Sequence, residues 1–452
     1  MRKKKEVIKT IILTILIISS LTISYLTIIY KPEKNFLKID TEFKHEEKNK
    51  EKTLENSFKL LSPYIIVKDN TNKKEEQAVE KAITKVKNVK ALKDKEQIKE
   101  ILKIIAGKEV DINRVKNKTI EEIKSNNQNY YLMKYKADTD TISTQKIYLG
   151  ENKQNTKINF DSILIPENEK NTIYLYEQGQ EGYMQIVYKG EIYDEIEKIF
   201  SVSSKMYKKY LINATKEFYI PEKLDDLTIN EYEIKKEDSK VMFKDIFKIG
   251  VALKTTYMAD ESKETSDGYV ILRETKNQIS YINPSNIENE KNGKETQEAE
   301  LQYKAAKFLL TTYNYETYYN IIETSGSSVE YQESYKNSMA FSKEVPSKIN
   351  ITSTKNGISK FTMPKISKGS LIGKKIPPLY HYENIDLVLN YLYSNININN
   401  LYDVEIAYEK TYQEDKIVYS PTWYINYNGI YYTFKELQEK RTKGEIECSG
   451  ER

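Results

Sequence analysis

One stretch of the chain is apolar without interruption, and the rest alternates in short periods. From Thr10 to Tyr30 no charged residue occurs, and a basic cluster of Arg2, Lys3, Lys4, Lys5 and Lys9 precedes the run. Beyond residue 60 the periods are those of strands and amphipathic helices. Tyr64-Ile65-Ile66-Val67 after Pro63 reads as a strand. Two helices are expected next, one on Ala78, Val79, Ala82, Ile83 and Val86, the other on Ile98, Ile101, Leu102 and Ile105, with Gly107 to end it. Strands are expected at Tyr130–Lys136 and Thr144–Leu149.

From about residue 170 to 290 the pattern is mostly that of strands. NTIYLYE and GYMQIVYKGEIY flank a turn at Gln178-Gly179-Gln180, and a helix is expected over Tyr193–Leu211. GVALKTTYMAD, SDGYVILRE and NQISYINP follow as strands, with Asp267-Gly268 as turn chemistry. Near 295 a helix is expected with Leu301, Ala305, Phe308, Leu309 and Thr312 on one face, and a later one carries Ile385, Val388, Leu389 and Leu392. The chain closes on three strands, DVEIAYEKTY, KIVYSPTWYINY and GIYYTF, with Asn428-Gly429 as a hairpin turn between the last two.

The apolar run reads as an uncleaved anchor. As a helix it measures roughly 32 Å, enough for a hydrocarbon core of about 30 Å. No Ala precedes Ala78, so no Ala-x-Ala cleavage site follows the run, and Thr22-Ile23-Ser24 would leave an apolar stub. The basic cluster predicts a cytoplasmic N-terminus and an external bulk, with Tyr25 and Tyr30 at interfacial depth. Thr10, Thr14, Ser20, Ser24 and Thr27 fall on one arc of this helix. Ser20-xxx-Ser24 lets a second helix approach closely; alternatively the hydroxyls bond back to their own helix carbonyls.

Composition narrows the classes further. The 452 residues, 39% hydrophobic and 31% charged, suffice for two or three external domains, while the net charge of +4 gives no sign of a nucleic-acid partner. Arginine is scarce, which weakens that class again, and lysine is so abundant that single lysines carry no message. One cysteine, Cys448, excludes an internal disulfide framework.

Catalytic constellations are not legible. His45 and His381 are the only histidines, so no zinc or Ser-His-Asp arrangement suggests itself, and no cofactor is expected. GSLIGKK at 369–375 is one residue short of a phosphate loop and lacks the hydroxyl residue after the lysine. A carboxylate pair of the glycosidase kind stays open, because sequence does not show which acids meet. Trp423 is read as a core anchor, with a sugar platform as the alternative.

EVIKTIILTILIISSLTISYLTIIYKPEKNF resembles the N-terminus of the YycH (WalH) family. LLSPYIIVKDN is similar to that family's early P-x-x-(I/V)-(I/V) strand, and VEIAYEK…IVYSPTWYINYNGIYY to its closing pattern, with Pro63, Pro421, Trp423, Tyr424 and Gly429 at the motif positions. A glycine-rich turn after Tyr315 is missing from the pattern. The resemblance implies a non-enzymatic, membrane-anchored accessory regulator of a cell-wall two-component system. Its partners would be a WalK-type sensor histidine kinase and a YycI-like single-pass protein, met through the anchor helix and external domains.

The expected fold class is α+β: a single transmembrane helix, then a multi-domain extracytoplasmic region of antiparallel sheets with packed helices. The expected divisions are a cytoplasmic tip (1–9), the plasma-membrane helix (10–30), a charged tether (31–57), an N-terminal α/β domain (58–166), a mostly-β domain (167–294), an α+β domain (295–440) and a polar tail (441–452). The rival expectation is an anchored cell-wall glycan-binding module, or a carboxylate-dependent glycan hydrolase.

Overall fold

A computed structural model describes residues 62–70, 83–116, 119–140, 159–180, 182–213, 215–224, 226–236, 246–247, 250–288, 304–305, 308–309, 318–325, 327–345, 347–354, 357–377 and 385–446. The expected membrane helix with its hydroxyl stripe, the tether, the strand at Thr144–Leu149, and His45, His381 and Cys448 lie outside these residues. Among the described residues no helix is long and apolar enough to cross a membrane.

Nine strands build the first sheet. They are β1 (Ile65–Asn70), β2 (Ile83–Leu92), β3 (Val110–Lys116), β4 (Asn129–Asp140), β5 (Asn159–Pro166), β6 (Thr172–Tyr176), β7 (Tyr183–Tyr188), β8 (Lys205–Ile212) and β9 (Lys216–Pro221). Their order is β3-β7-β6-β5-β4-β1-β2-β8-β9, with every pairing antiparallel. The expected division at 166/167 falls between β5 and β6, which are hydrogen-bonded neighbours. β1 sits near the middle, with Ile65, Ile66 and Val67 all fully buried. Consecutive apolar residues of this kind are what a strand covered on both faces needs.

Helices α1 (Lys95–Ala106), α2 (Ile120–Asn126) and α3 (Tyr193–Ser203) belong to the same part of the chain. α1 buries Ile98, Ile101, Leu102 and Ile105 at helical spacing, as expected; each such side chain contributes about 1.5–3 kcal/mol. Asp94 caps its start, accepting from the Gln97 N–H at 3.0 Å, and Gly107 ends it by returning its N–H to the Lys103 carbonyl.

Two helix expectations are corrected. The Ala78–Val86 helix fails where it can be seen, because Ile83–Leu92 is β2, paired with β1 and β8. Two open strand edges outweigh a helical period carried mostly by β-branched residues. The helix over Tyr193–Leu211 stops at Ser203, and KMYKKYLI becomes β8, inserted between β2 and β9.

Fourteen strands form the second sheet. The first six are β10 (Ile229–Lys236), β11 (Lys254–Tyr257), β12 (Lys263–Ser266), β13 (Ile271–Glu274), β14 (Gln278–Ile282) and β15 (Tyr318–Ser325). Then come β16 (Ser328–Tyr335), β17 (Ser338–Phe341), β18 (Lys348–Thr354), β19 (Gly357–Pro364) and β20 (Ile366–Lys375). The last are β21 (Leu401–Gln413), β22 (Lys416–Tyr427) and β23 (Ile430–Thr433). The order is β11-β12-β13-β14-β19-β18-β16-β17-β21-β22-β10-β20, with β15 beside β16 and β23 beside β22. Only the β17–β21 pairing among these is parallel. β10, from the expected central domain, thus lies between two strands of the expected C-terminal one.

The closing three strands appear as expected. Asn428 (φ 53°) and Gly429 (φ 79°) make the β22–β23 turn, both in the left-handed region that Asn-Gly tolerates. Asp267 forms the expected turn before β13, accepting from the Tyr269 and Val270 N–H groups, with Gly268 at φ 87°. Helix α4 (Pro284–Glu288) follows β14, and Ala305, Phe308 and Leu309 of the next expected helix are helical and buried. α5 (Ile385–Asn395) buries Ile385, Val388, Leu389 and Leu392, and α6 (Phe434–Thr442) starts with a capping box of Thr433 and Glu436.

The two sheets share a core. Tyr210, Ile212, Phe218 and Ile220 of β8–β9 pack in one cluster with α5 and with Val404, Ile406, Trp423 and Ile425 of β21–β22. The described residues therefore form an α+β structure of antiparallel and mixed sheets with helices packed on them.

Candidate functional site

Where the two sheets meet, apolar packing gives way to buried charge. Lys136 at β4 points between Asp403 and Glu405 of β21, bonding to Asp403 and reaching the Glu405 Oε1 at 3.0 Å. Lys136 and Glu405 are only 7% and 5% exposed, so this is a desolvated set. Burial works against the Lys136 charge, but the two carboxylates outweigh it and hold the ammonium well above its usual range. Lys93 lies close to the same two acids, and burial together with Asp403 pushes Glu405 up despite Lys136 and Lys93.

Lys95, the first residue of α1, lies at the same junction. Its Nζ donates to the Ser62 Oγ at 3.2 Å, the Pro63 carbonyl at 2.8 Å and the Asn320 Oδ1 at 2.7 Å. All three are neutral oxygens. Burial, with Lys93 and Lys136 nearby, pushes Lys95 down to about 7. The backbone around it is tied across the junction as well. The Lys95 N–H donates to the Asn337 Oδ1 at 3.1 Å, and the Tyr318 hydroxyl donates to Glu96 at 2.6 Å. A small cleft opens there, lined by Asp94, Glu96, Tyr318, Ser334, Lys336 and Asn337 among others. Its groups already bond to protein partners, which suits a joint better than a ligand site.

Two further ionic sets sit within the sheets. Lys209 bridges Asp69 at 2.9 Å and Glu217 at 3.0 Å, while Lys134 reaches Glu217 at 2.8 Å. Burial would raise Glu217, but Lys134 and Lys209 hold it well below the carboxylate range. Lys410 donates to Glu333 at 2.8 Å, and the Tyr419 hydroxyl donates to the other oxygen of that carboxylate at 2.6 Å. These acids are committed to lysines or tyrosines. Among the described residues no group of three His, Cys, Asp or Glu side chains could hold a metal.

The motif residues in the described part are structural in place. Pro63 is buried and supplies the carbonyl that Lys95 holds. Pro421 pairs with Tyr408 and Trp423 with Ile406 across the β21–β22 hairpin. Trp423 is 4% exposed within the shared core, so its ring is not offered to a sugar. Tyr424 is buried with its ring 4.4 Å from that of Phe341. GSLIGKK runs along β20 as a strand. The stripe of Thr10, Thr14, Ser20, Ser24 and Thr27 lies outside the described residues.

Sequence reasoning missed the buried lysines, because each is one of many. One signal was present: in VEIAYEK, Lys410 has the strand parity of Val404, Ile406 and Tyr408, and all four are buried.

No protein-family model matches the chain, and no curated protein matches it. Among solved structures, the crystal structure of YycH from Bacillus subtilis superposes with a TM-score of 0.55 at 14% identity, covering 84% of this chain and 96% of that one. The chain has a YycH-like fold. The likeness spans nearly all of the YycH chain, so it includes both sheets and not one shared motif.

Proposed function

We propose that this protein is a non-enzymatic, membrane-anchored accessory regulator of a WalK-type sensor histidine kinase, acting beside a YycI-like single-pass partner. The observation that carries the reading is the YycH-like fold over 84% of the chain, joined to the closing Pro421–Trp423 hairpin that the family resemblance rests on. Residues 10–30 would anchor the chain in the plasma membrane, with the N-terminus cytoplasmic and the two-sheet body outside. The arc of Thr10, Thr14, Ser20, Ser24 and Thr27 would pack against a kinase or partner helix. The body, tied across its junction by Lys95 and Lys136, would dock as one piece and fix the tilt or register of those helices. A docking difference of about 1–3 kcal/mol suffices to move a kinase between two states.

The test changes the helix and leaves the body alone. Ser20→Phe combined with Ser24→Phe should change kinase output by about fivefold or more, as a coupling of that size implies. The readout is phosphorylation of the response regulator, at unchanged surface level of the protein. Unaltered output would count against the helix contact.

A further inference from the structure

One end of the second sheet is β11, which pairs with β12 alone among the described residues. That pairing runs without a bulge, and Lys254 is the only charge from Leu253 to Tyr257. Of the devices that ordinarily blunt a free edge, β11 has its short length and this one lysine. One hydrogen bond sets the direction of its backbone groups. The Met258 N–H donates to the Ser262 carbonyl at 2.8 Å, and hydrogen-bonded pairs alternate along an antiparallel ladder. Lys254 and Thr256 therefore turn their N–H and C=O groups to β12, and Thr255 and Tyr257 turn theirs outward.

The side chains divide by face. Thr255 and Tyr257 lie opposite Thr265 and Lys263 of β12, on the sheet face that buries Leu272, Tyr281 and Phe361. Leu253, just before the strand, has the same parity. Yet at this end of the face Tyr257 is 76% exposed and Leu253 47%. On the opposite face stand Lys254, Thr256 and Glu264. Lys254 is exposed, and Glu264 has a contact with Arg273 at 3.9 Å, while Arg273 is held more closely by Asp260 at 2.6 Å.

We propose that β11 is a self-pairing edge, through which two copies of this chain join antiparallel about Thr255 into one continuous sheet. In that register Leu253 pairs with Tyr257 of the copy, Thr255 with its own equivalent, and Lys254 with Thr256. Leu253, Thr255 and Tyr257 share the outward parity, so each of their pairs exchanges both backbone hydrogen bonds. The exposed leucine and tyrosine cover each other. Lys254 of one copy comes about 10 Å from Glu264 of the other between Cα atoms, and these two long side chains meet over the small Thr256. Neighbouring registers fit worse. Pairing about Lys254 sets the two Lys254 side chains opposite each other, and pairing about Thr256 parts Leu253 from Tyr257. The strip is smaller than a standard interface of about 1,200–2,000 Å², so the dimer is weak and concentration-dependent. The inference stands on the edge itself and does not depend on the kinase reading.

The experiment uses the full chain in detergent micelles, with Cys448→Ser as background so that introduced thiols are the only ones. Lys254→Cys mixed with Thr256→Cys should give an oxidised dimer, because the two positions lie opposite each other. Neither variant alone should do so, since like positions are roughly 8 Å apart, beyond disulfide reach. In chains without introduced cysteines, amide exchange at Thr255 and Tyr257 should slow as protein concentration rises. Lys254→Glu should raise the dissociation constant about tenfold, the size expected from reversing two symmetry-related charge pairs, and adding Glu264→Lys should restore it. Tyr257→Lys, at an exposed position, should abolish the dimer while leaving circular dichroism unchanged. Equal cross-linking in all three cysteine samples, cross-linking in none, or a charge swap that restores nothing overturns the proposal. A dimer that survives Tyr257→Lys also overturns it, and places the contact elsewhere on the chain.

Discussion

Replacing Lys136 by Met should lower the unfolding free energy by about 3–5 kcal/mol, the usual cost of leaving buried charge without its partner. The residue lies between Asp403 and Glu405, and its removal leaves two buried carboxylates without their bonded ammonium, with Lys93 nearby but not bonded to either. Methionine keeps most of the aliphatic stem, so the loss is one of charge more than of volume. The measurement is a urea unfolding curve of the whole chain. Adding Asp403→Asn and Glu405→Gln to the same chain should recover much of the loss, because neutral amides need no counter-ion. A loss below about 1 kcal/mol for the single variant would mean that the junction is wet and the pair behaves as a surface bridge.

The second large effect is one of pH. Lys95 titrates at about 7 in the folded chain against about 10.4 when unfolded. Between these values the unfolded chain holds the extra proton, so stability rises with pH through this window. Below about 7 both states are protonated and the penalty of the buried charge is present in full. The slope from this one group approaches about 1.4 kcal/mol per pH unit where its protonation differs fully between the two states. Lys95→Met should flatten the rise between pH 7 and pH 9, read as the difference between two sets of urea curves so that other groups cancel. Identical slopes in both proteins would show that Lys95 keeps its ordinary titration.

Much of the fold could be read from residue pattern alone, and the reasons differ by element. The β21–β23 meander was legible because its turn is Asn-Gly and its strands alternate, so local chemistry and tertiary pairing agree. α1 and α5 were legible because their buried residues recur at helical spacing. β2 and β8 were misread because each sits between two strands, so their state is decided by neighbours distant in sequence. β8, for example, pairs with β2 more than a hundred residues away, as the partnership of Ile83 with Ile212 shows. The junction was not legible at all. Lys95, Lys136, Asp403 and Glu405 meet only through the packing of β4 and α1 against β15 and β21, and charged residues are ordinarily on the surface. Trp423 could be assigned to the core beforehand, since a lone large aromatic in a strand ordinarily packs.

The same junction gives the account its mechanical sense. In the proposed regulator reading, a body held together by buried charge and by a core common to both sheets would pass a docking event on its surface to the segment proposed as its anchor. The central claim is that the anchor is itself a contact. It is tested most directly by cross-linking and pull-down from native membranes, comparing the whole protein with one whose residues 10–30 are replaced by poly-leucine. The account predicts that a sensor histidine kinase and a second single-pass protein are recovered with the native helix and lost with poly-leucine. Recovery of neither with the native helix would contradict it.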